Sequence, residues 1–178
     1  KIKSTYRAIR LFANSTKAET ILTVNGGTIE GGNKSVWVQN ANASDNPAQM
    51  AVSANAALNG SVLVSGSSAA AWALDLSVAA AALQGDATVT GSKLPATMTL
   101  KETNGVWGTA EAVATVDGVG YATLAEAFAA AQDGETIKLI RDIELTEGVT
   151  VNGKVTIDLN GKTITGTDNS TGSFSLCL

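Results

Sequence analysis

Histidine is missing from this chain altogether, and cysteine occurs once in 178 residues. The first absence removes imidazole as a general base, as a metal ligand and as a member of a Ser/His/Asp triad. The second excludes an internal disulfide and leaves Cys177 as a thiol expected to be packed rather than reactive. Aromatic residues supply only 4% of the chain and proline only two positions. A core must therefore be assembled from Ala, Val, Leu and Ile, which suit a narrow, layered interior. No run of 18 apolar residues is present. The Ala-rich stretch Ala69–Leu83 is interrupted by Asp75 and too short to cross a bilayer, so no membrane span is expected. Lys and Arg form no cluster and the net charge is −4, which argues against a nucleic-acid partner. No Asp-Asp pair exists, and Gly118-Val119-Gly120 lacks the strand–glycine–helix unit of a dinucleotide site. No cofactor is expected.

What the chain does contain is a recurring phrase: an aliphatic or β-branched residue, then Val or Ile, a small polar or acidic residue, and Gly. It occurs at Thr23-Val24-Asn25-Gly26, Thr28-Ile29-Glu30-Gly31, Leu63-Val64-Ser65-Gly66, Thr88-Val89-Thr90-Gly91, Thr150-Val151-Asn152-Gly153 and Thr163-Ile164-Thr165-Gly166. Each copy reads as a strand too short to fold alone, closed by a residue that tolerates positive φ. Such pieces gain stability by stacking on one another. The phrase's final glycines at 26, 66 and 91 are compatible with coils of about 20–25 residues in an irregular solenoid. Expected strands include Thr5–Phe12, Ile21–Asn25, Thr28–Glu30, Ser35–Gln39, Gln49–Ser53, Ala56–Leu58, Ser61–Val64, Ala70–Leu76, Val78–Leu83, Ala87–Thr90 and Thr97–Lys101. Lys1 leads directly into the first of these, so the chain is expected to be a piece of a longer protein.

The pattern changes after Trp107. Leu124-Ala125-Glu126-Ala127-Phe128-Ala129-Ala130-Ala131 is the one amphipathic helix, with Leu124, Ala127, Phe128 and Ala131 on one face. Thr123 is its expected N-cap and Glu126 completes a capping box. Gly134 stops it. Strands are expected again at Thr136–Ile140, Ile143–Leu145, Val149–Val151, Val155–Leu159 and Thr163–Thr165. The ordered set Tyr121-Ala122-Thr123-Leu124-Ala125-Glu126-Ala127, Gly134-Glu135-Thr136-Ile137-Lys138-Leu139 and Ile157-Asp158-Leu159-Asn160-Gly161 resembles the pectate-lyase-like right-handed parallel β-helix modules of bacterial cell-surface and adhesive proteins. The resemblance covers about residues 113–166. Val24-Asn25-Gly26-Gly27-Thr28-Ile29 with Val36-Trp37-Val38 looks like interior coils of the same class. It implies an all-β fold, a right-handed parallel β-helix (solenoid) with a short capping helix near 123–132. Residues 1–112 are then the C-terminal coils of one segment, and 113–178 the helix-capped, incomplete start of a second.

Catalytic members of that superfamily are polysaccharide lyases and hydrolases, which need a base near a uronate or two carboxylates across a bond. Here the acids are scattered. Arg7 and Arg10 are the best lyase-like basic pair. Three positions apart on a strand, they are expected to point to opposite faces and to end in a salt bridge. Asp142 and Glu144 share one strand face and could join Asp158 on a neighbouring coil as a Ca²⁺ candidate, although solvent-facing carboxylates are the plainer reading. Trp37, Trp72 and Trp107 could stack on sugar rings, although each sits in an apolar context that suits packing. Leu124 and Phe128 are expected to cap the second segment, and Phe174 and Leu176 to form a sticky terminal strand. The expectation is a non-catalytic, extracellular structural or adhesive module, with glycans or other surface components as partners. Self-association into a homo-oligomer or filament through open solenoid ends is the first alternative, a polysaccharide-cleaving enzyme the second.

Overall fold

The computed structural model describes residues 1–13, 19–40, 48–66, 74–151 and 153–166. Trp72, Phe174, Leu176 and Cys177 lie outside the described residues. The chain is all-β in class, with a single α-helix and one 3-10 turn, Ala80–Ala82, among the described residues. It divides into two compact units. The first comprises Lys1–Pro95 and Leu100–Ala110, the second Ala96–Thr99 and Glu111–Leu178.

The strands of the first unit are β1 (Ile2–Ser4), β2 (Arg7–Ala13), β3 (Thr20–Val24), β4 (Gly27–Asn40), β5 (Ala48–Val52), β6 (Ala56–Gly66), β7 (Leu74–Ala79), β8 (Leu83–Gln84) and β9 (Val89–Ser92), with most of β10 (Met98–Thr103) and β11 (Val106–Glu111), whose residues Met98, Thr99 and Glu111 belong to the second. One sheet takes β1 and β2 against β4, β4 against β6, and β6 against β8 and β9, all in parallel. The other runs β10-β11-β7-β5-β3, with β3, β5 and β7 parallel. Partners are separated by a nearly constant length of chain. Ile2 faces Ile29, Ile29 faces Leu58 and Leu58 faces Leu83. Ile9, Val36, Val62 and Val89 form a second column, and Val24, Val52 and Val78 a third. Like side chains therefore stack on like. Val36, Val38, Leu58, Val62, Val64 and Val78 are fully buried. Strict alternation brings them to one face: β6 and β7 switch between buried and more exposed positions along much of their length.

Two expected strands, Thr28–Glu30 and Ser35–Gln39, are one continuous β4 with register shifts between Glu30 and Val36. Ala56–Leu58 and Ser61–Val64 likewise merge into β6. The segment expected as Val78–Leu83 breaks at Ala80, where three alanines form the 3-10 turn. The sheet built on β7 does not continue in parallel: β11 pairs with β7 antiparallel. The reason is local. Asn104 and Gly105 both have positive φ (52° and 77°), the geometry of a two-residue type I′ turn that folds β10 back onto β11.

The second unit holds β12 (Ala114–Val116), β13 (Val119–Tyr121), α1 (Leu124–Ala130), β14 (Thr136–Leu139), β15 (Ile143–Leu145), β16 (Thr156–Asp158) and β17 (Ile164–Gly166). Asp117-Gly118, again both at positive φ, joins β12 to β13 as an antiparallel hairpin. β14 also pairs with β12 antiparallel. Parallel pairing resumes in β14–β16 (Thr136 facing Thr156) and β15–β17 (Ile143 facing Ile164). No strand forms over the expected Val149–Val151 apart from a single bridge at Thr150. Thr123 Oγ1 accepts from Glu126 N–H at 3.1 Å, and Glu126 Oε2 accepts from Thr123 N–H at 3.1 Å, a complete capping box. Leu124, Ala127 and Phe128 bury the helix against Ala114, Val116, Ile137, Leu139 and Val149.

Candidate functional site

The densest gathering of polar and aromatic chemistry among the described residues lies on the exposed face of the first sheet, where β2 runs parallel beside β4. Its placement begins with two glycines. A Cβ on Gly32 would sit 2.1 Å from the Thr5 carbonyl oxygen, and one on Gly31 would sit 1.8 Å from that of Lys34. Only glycine permits this approach. It lets the Tyr6 carbonyl accept from the N–H groups of both Asn33 (2.8 Å) and Lys34 (3.2 Å). The bend pins the start of β2 against the irregular stretch of β4. From there the register runs Arg7 to Lys34, Arg10 to Trp37 and Phe12 to Gln39.

Trp37 becomes the centre of the cluster. The Arg7 guanidinium carbon lies 4.4 Å from its ring centroid and that of Arg10 lies 4.8 Å away. Arg7 is also 4.6 Å from the Tyr6 ring, and Arg10 4.2 Å from the Phe12 ring. These distances are those of cation–π stacking. Trp37 Nε1 donates to Ser65 Oγ at 2.8 Å, which fixes the indole. Arg10 Nε and Nη2 both donate to Gln39 Oε1, at 3.1 and 2.6 Å. The expectation that Arg7 and Arg10 face opposite sides of the strand is corrected: both guanidinium groups reach the same indole. Two-residue alternation holds from Arg10 onward, with Leu11 and Ala13 buried and Phe12 exposed. Arg7 stands at the first position of β2, directly after the Thr5–Tyr6 bend, and its long, exposed side chain reaches the Trp37 ring from there. The expected salt bridge is also absent: among the described residues no carboxylate pairs with either arginine.

The neighbouring cations are differently occupied. Lys1 and Lys3 both grip Glu30, at 2.7 and 2.6 Å. Their hydrogen bonds hold the Glu30 carboxyl down at about 2, against an ordinary value of 4.5.

The other candidates are dispersed. Trp107 is on β11 opposite Val78, in the second sheet of the unit rather than beside Trp37. Asp142, just before β15, and Glu144, on it, line a cavity of about 440 Å³ with Thr123, Leu124, Glu147 and Val149. Asp158 does not join them. It sits on β16 opposite Lys138, in a different sheet, and its carboxylate accepts from Asn160 N–H at 2.8 Å. The Asp142 carboxylate is likewise engaged, by Thr163 N–H at 2.8 Å. Asp158 thus serves its own turn and Asp142 a contact with Thr163, and among the described residues no group of three potential ligands could hold a metal ion. Leu124 and Phe128 lie in the apolar core of the second unit, 2% and 4% exposed.

Sequence reasoning named Arg7, Arg10 and Trp37 but did not join them, and it missed Tyr6, Phe12 and Gln39. The signal was the Gly31-Gly32 pair: a corner in β4 implies a matching bend in whatever strand lies beside it. Among the described residues no helix is long and apolar enough to cross a membrane. Comparison with known proteins finds no family model, no curated protein and no solved structure that matches this chain.

Proposed function

We propose that this chain is a non-catalytic structural and adhesive module of a bacterial cell surface, built from coils of a right-handed parallel β-helix, with α1 capping the second set of coils. The observation that carries the reading is the register of the first unit. Partners such as Val36 and Val62, Val62 and Val89, or Ala48 and Leu74 recur at a near-constant chain separation across two sheets, as stacked coils require. The resemblance of residues 113–166 to pectate-lyase-like surface modules supports the same conclusion, and so does a second unit whose parallel pairs, Ile137 with Ile157 and Glu144 with Thr165, recur in the same way. A stack of this kind gains about 4.8 Å per coil and presents flat ladders of side chains, which suits a stalk or a contact surface outside the cell.

The test is retention of the purified chain on immobilised glycans and on whole cell surfaces, with the soluble fraction assayed for new reducing or unsaturated sugar ends. Retention without release of ends is expected. Release of ends, abolished by Arg7→Ala or Asp158→Ala, would establish the polysaccharide-cleaving alternative instead. The filament alternative draws on the exposed apolar residues Ile2, Tyr6, Phe12 and Ile21, which lie on or beside the edge strands β1, β2 and β3.

A further inference from the structure

We propose that Tyr6, Arg7, Arg10, Phe12, Trp37 and Gln39 form a binding site for an anionic glycan, with the two guanidinium groups receiving carboxylate or sulfate groups of the sugar chain. The proposal rests on the adhesive reading above and names the ligand class and the face that takes it. Residues 1–13 contain Lys1, Lys3, Arg7 and Arg10 and no acid, in a chain whose net charge is −4. Glu30 takes both lysines. The arginines have no acidic partner among the described residues, so the positive charge of this face is offered to solvent.

The guanidinium groups are also pre-positioned. Contact with the Trp37, Tyr6 and Phe12 rings holds them in place. Gln39 occupies Nε and Nη2 of Arg10, and Nη1 has no acceptor among the described residues. The Arg7 fork has no acceptor among the described residues. A planar fork matches the paired oxygens of a carboxylate or sulfate, and a fork already held still loses little freedom when it binds. Trp37 thus acts as the platform that orients the cations, and not as the surface on which a sugar ring stacks.

The surroundings select a sugar chain. Tyr6 and Phe12 are 55% and 37% exposed at the two ends of the cluster and offer apolar ring surface to the C–H faces of pyranose rings. From Gln39 an in-register row of hydroxyl groups continues through Ser65 to Ser92, one rung about every 4.8 Å. Such a row fits the hydroxyl-rich edge of a polysaccharide lying across the strands. A nucleic acid would need many more phosphate contacts than two arginines supply.

Titration calorimetry with Trp fluorescence tests this on the whole chain. The probes are hyaluronan oligosaccharides for carboxylate, chondroitin sulfate oligosaccharides for added sulfate, dextran as a neutral polymer and poly-glutamate as an acidic peptide. Binding is expected for one or both anionic glycans, with no heat from dextran and loss of hyaluronan binding on chemical reduction of its carboxyl groups. Which glycan binds tighter identifies the anionic group. R7Q/R10Q should weaken binding by roughly tenfold or more, the scale of losing a charge-assisted hydrogen bond. R7K/R10K, which keeps the charge but loses the fork, should weaken it as well. The single variant R7Q, at a side chain with no hydrogen-bond partner among the described residues, covers the case in which a double variant fails to fold. Unchanged affinity in R7Q, or in a folded R7Q/R10Q, overturns the proposal, as does poly-glutamate binding as tightly as either glycan or the absence of any anionic-glycan binding. Retention on cell surfaces that survives R7Q/R10Q removes this site and leaves the adhesive reading standing. Binding accompanied by cleavage does the reverse.

Discussion

At the scale of single residues, the described structure turns on where side chains are forbidden and where charge is concentrated. Gly31 is the sharpest case, because a Cβ there would meet the Lys34 carbonyl at 1.8 Å and the Ser35 nitrogen at 3.0 Å. These atoms belong to the Lys34–Ser35 peptide group, so no flexible side chain is there to move aside. Gly31→Ala is therefore expected to destabilise the first unit by more than about 1 kcal/mol. Gly148→Ala, with open space around its Cβ, should change stability by less than that. Denaturant unfolding of the two variants side by side checks the contrast. Gly31→Ala should also disturb the Arg7–Trp37 stacking, visible as a shifted Trp emission before any unfolding. Glu30 gives a pH prediction. Its folded value, about 2, lies below the ordinary 4.5, so the native state binds the proton less readily than the unfolded chain. The contribution is complete above about pH 4.5 and is lost as pH falls from there through about 2. The group is solvent-accessible, so added salt should shrink the effect. A carboxyl-resolved NMR titration in low salt should place Glu30 well below the ordinary value of 4.5. The acid limb of the melting temperature should be shallower in Glu30→Gln.

At the scale of elements, α1 is short, and its stability comes from its cap and its buried face rather than from helix propensity. Phe128→Ala should cost roughly 3–5 kcal/mol, since the ring is 4% exposed in the core of the second unit. Thr123→Ala should cost about 1 kcal/mol through the lost cap. Circular dichroism melts of both variants measure this, and a Phe128→Ala curve superimposing on the parent would show that the helix does not hold the unit together. The start and buried face of the helix were legible in the sequence, because its capping box and its i, i+3, i+4 spacing are local signals; its end was not, since Ala131 turns extended as the C-cap, three residues before the expected stop at Gly134. The columns of stacked Val, Ile and Leu were legible as short aliphatic strands but not as registers. Leu63-Val64-Ser65-Gly66 and Thr88-Val89-Thr90-Gly91 are the same phrase, yet Val62 and not Val64 faces Val89. Glycines at corners shift the register, and a phrase carries no information about that. The antiparallel returns at Asn104-Gly105 and Asp117-Gly118 were missed although both dipeptides are hairpin signals. The expectation of continuous coils outweighed a local cue that was correct. The arginine platform was out of reach for a different reason. It depends on the bend before β2 and on the register of β2 against β4, which set Arg7 and Arg10 about Trp37 and which the order of residues in β2 does not show.

At the scale of the whole molecule, charge and exposed edges set what the chain can do to a second copy of itself. Among the described residues β1, β2 and β3 each have a neighbour on one side only, and unpaired strand edges are templates for further pairing. Ile2 and Ile21, 48% and 53% exposed, add apolar surface along those edges. The far side of the second sheet is different, because parallel order there gives way to the antiparallel β11 and its hairpin partner β10. Head-to-tail growth requires both ends to offer matching parallel edges on both sheets, and a heterologous contact that repeats makes a filament. One edge set blunted by a hairpin removes that match, which favours a closed, two-fold contact between the open edges of β1, β2 and β3. Such a contact brings the positive residues 1–13 of two copies together, four cations on each side and no acid. Repulsion between them is unscreened at low ionic strength and falls as salt shortens the Debye length. The chain is therefore expected to be monomeric in dilute buffer and to form a reversible dimer as salt is raised, with no growth beyond two copies. Light scattering over a concentration series at low and high ionic strength reads this directly. In R7Q/R10Q the dimer should form at lower salt than in the parent, because half of the opposing side-chain charge is gone. Rods seen by negative-stain microscopy at low salt, lengthening with concentration, would instead establish the filament reading and show that the β10–β11 hairpin does not block the far end.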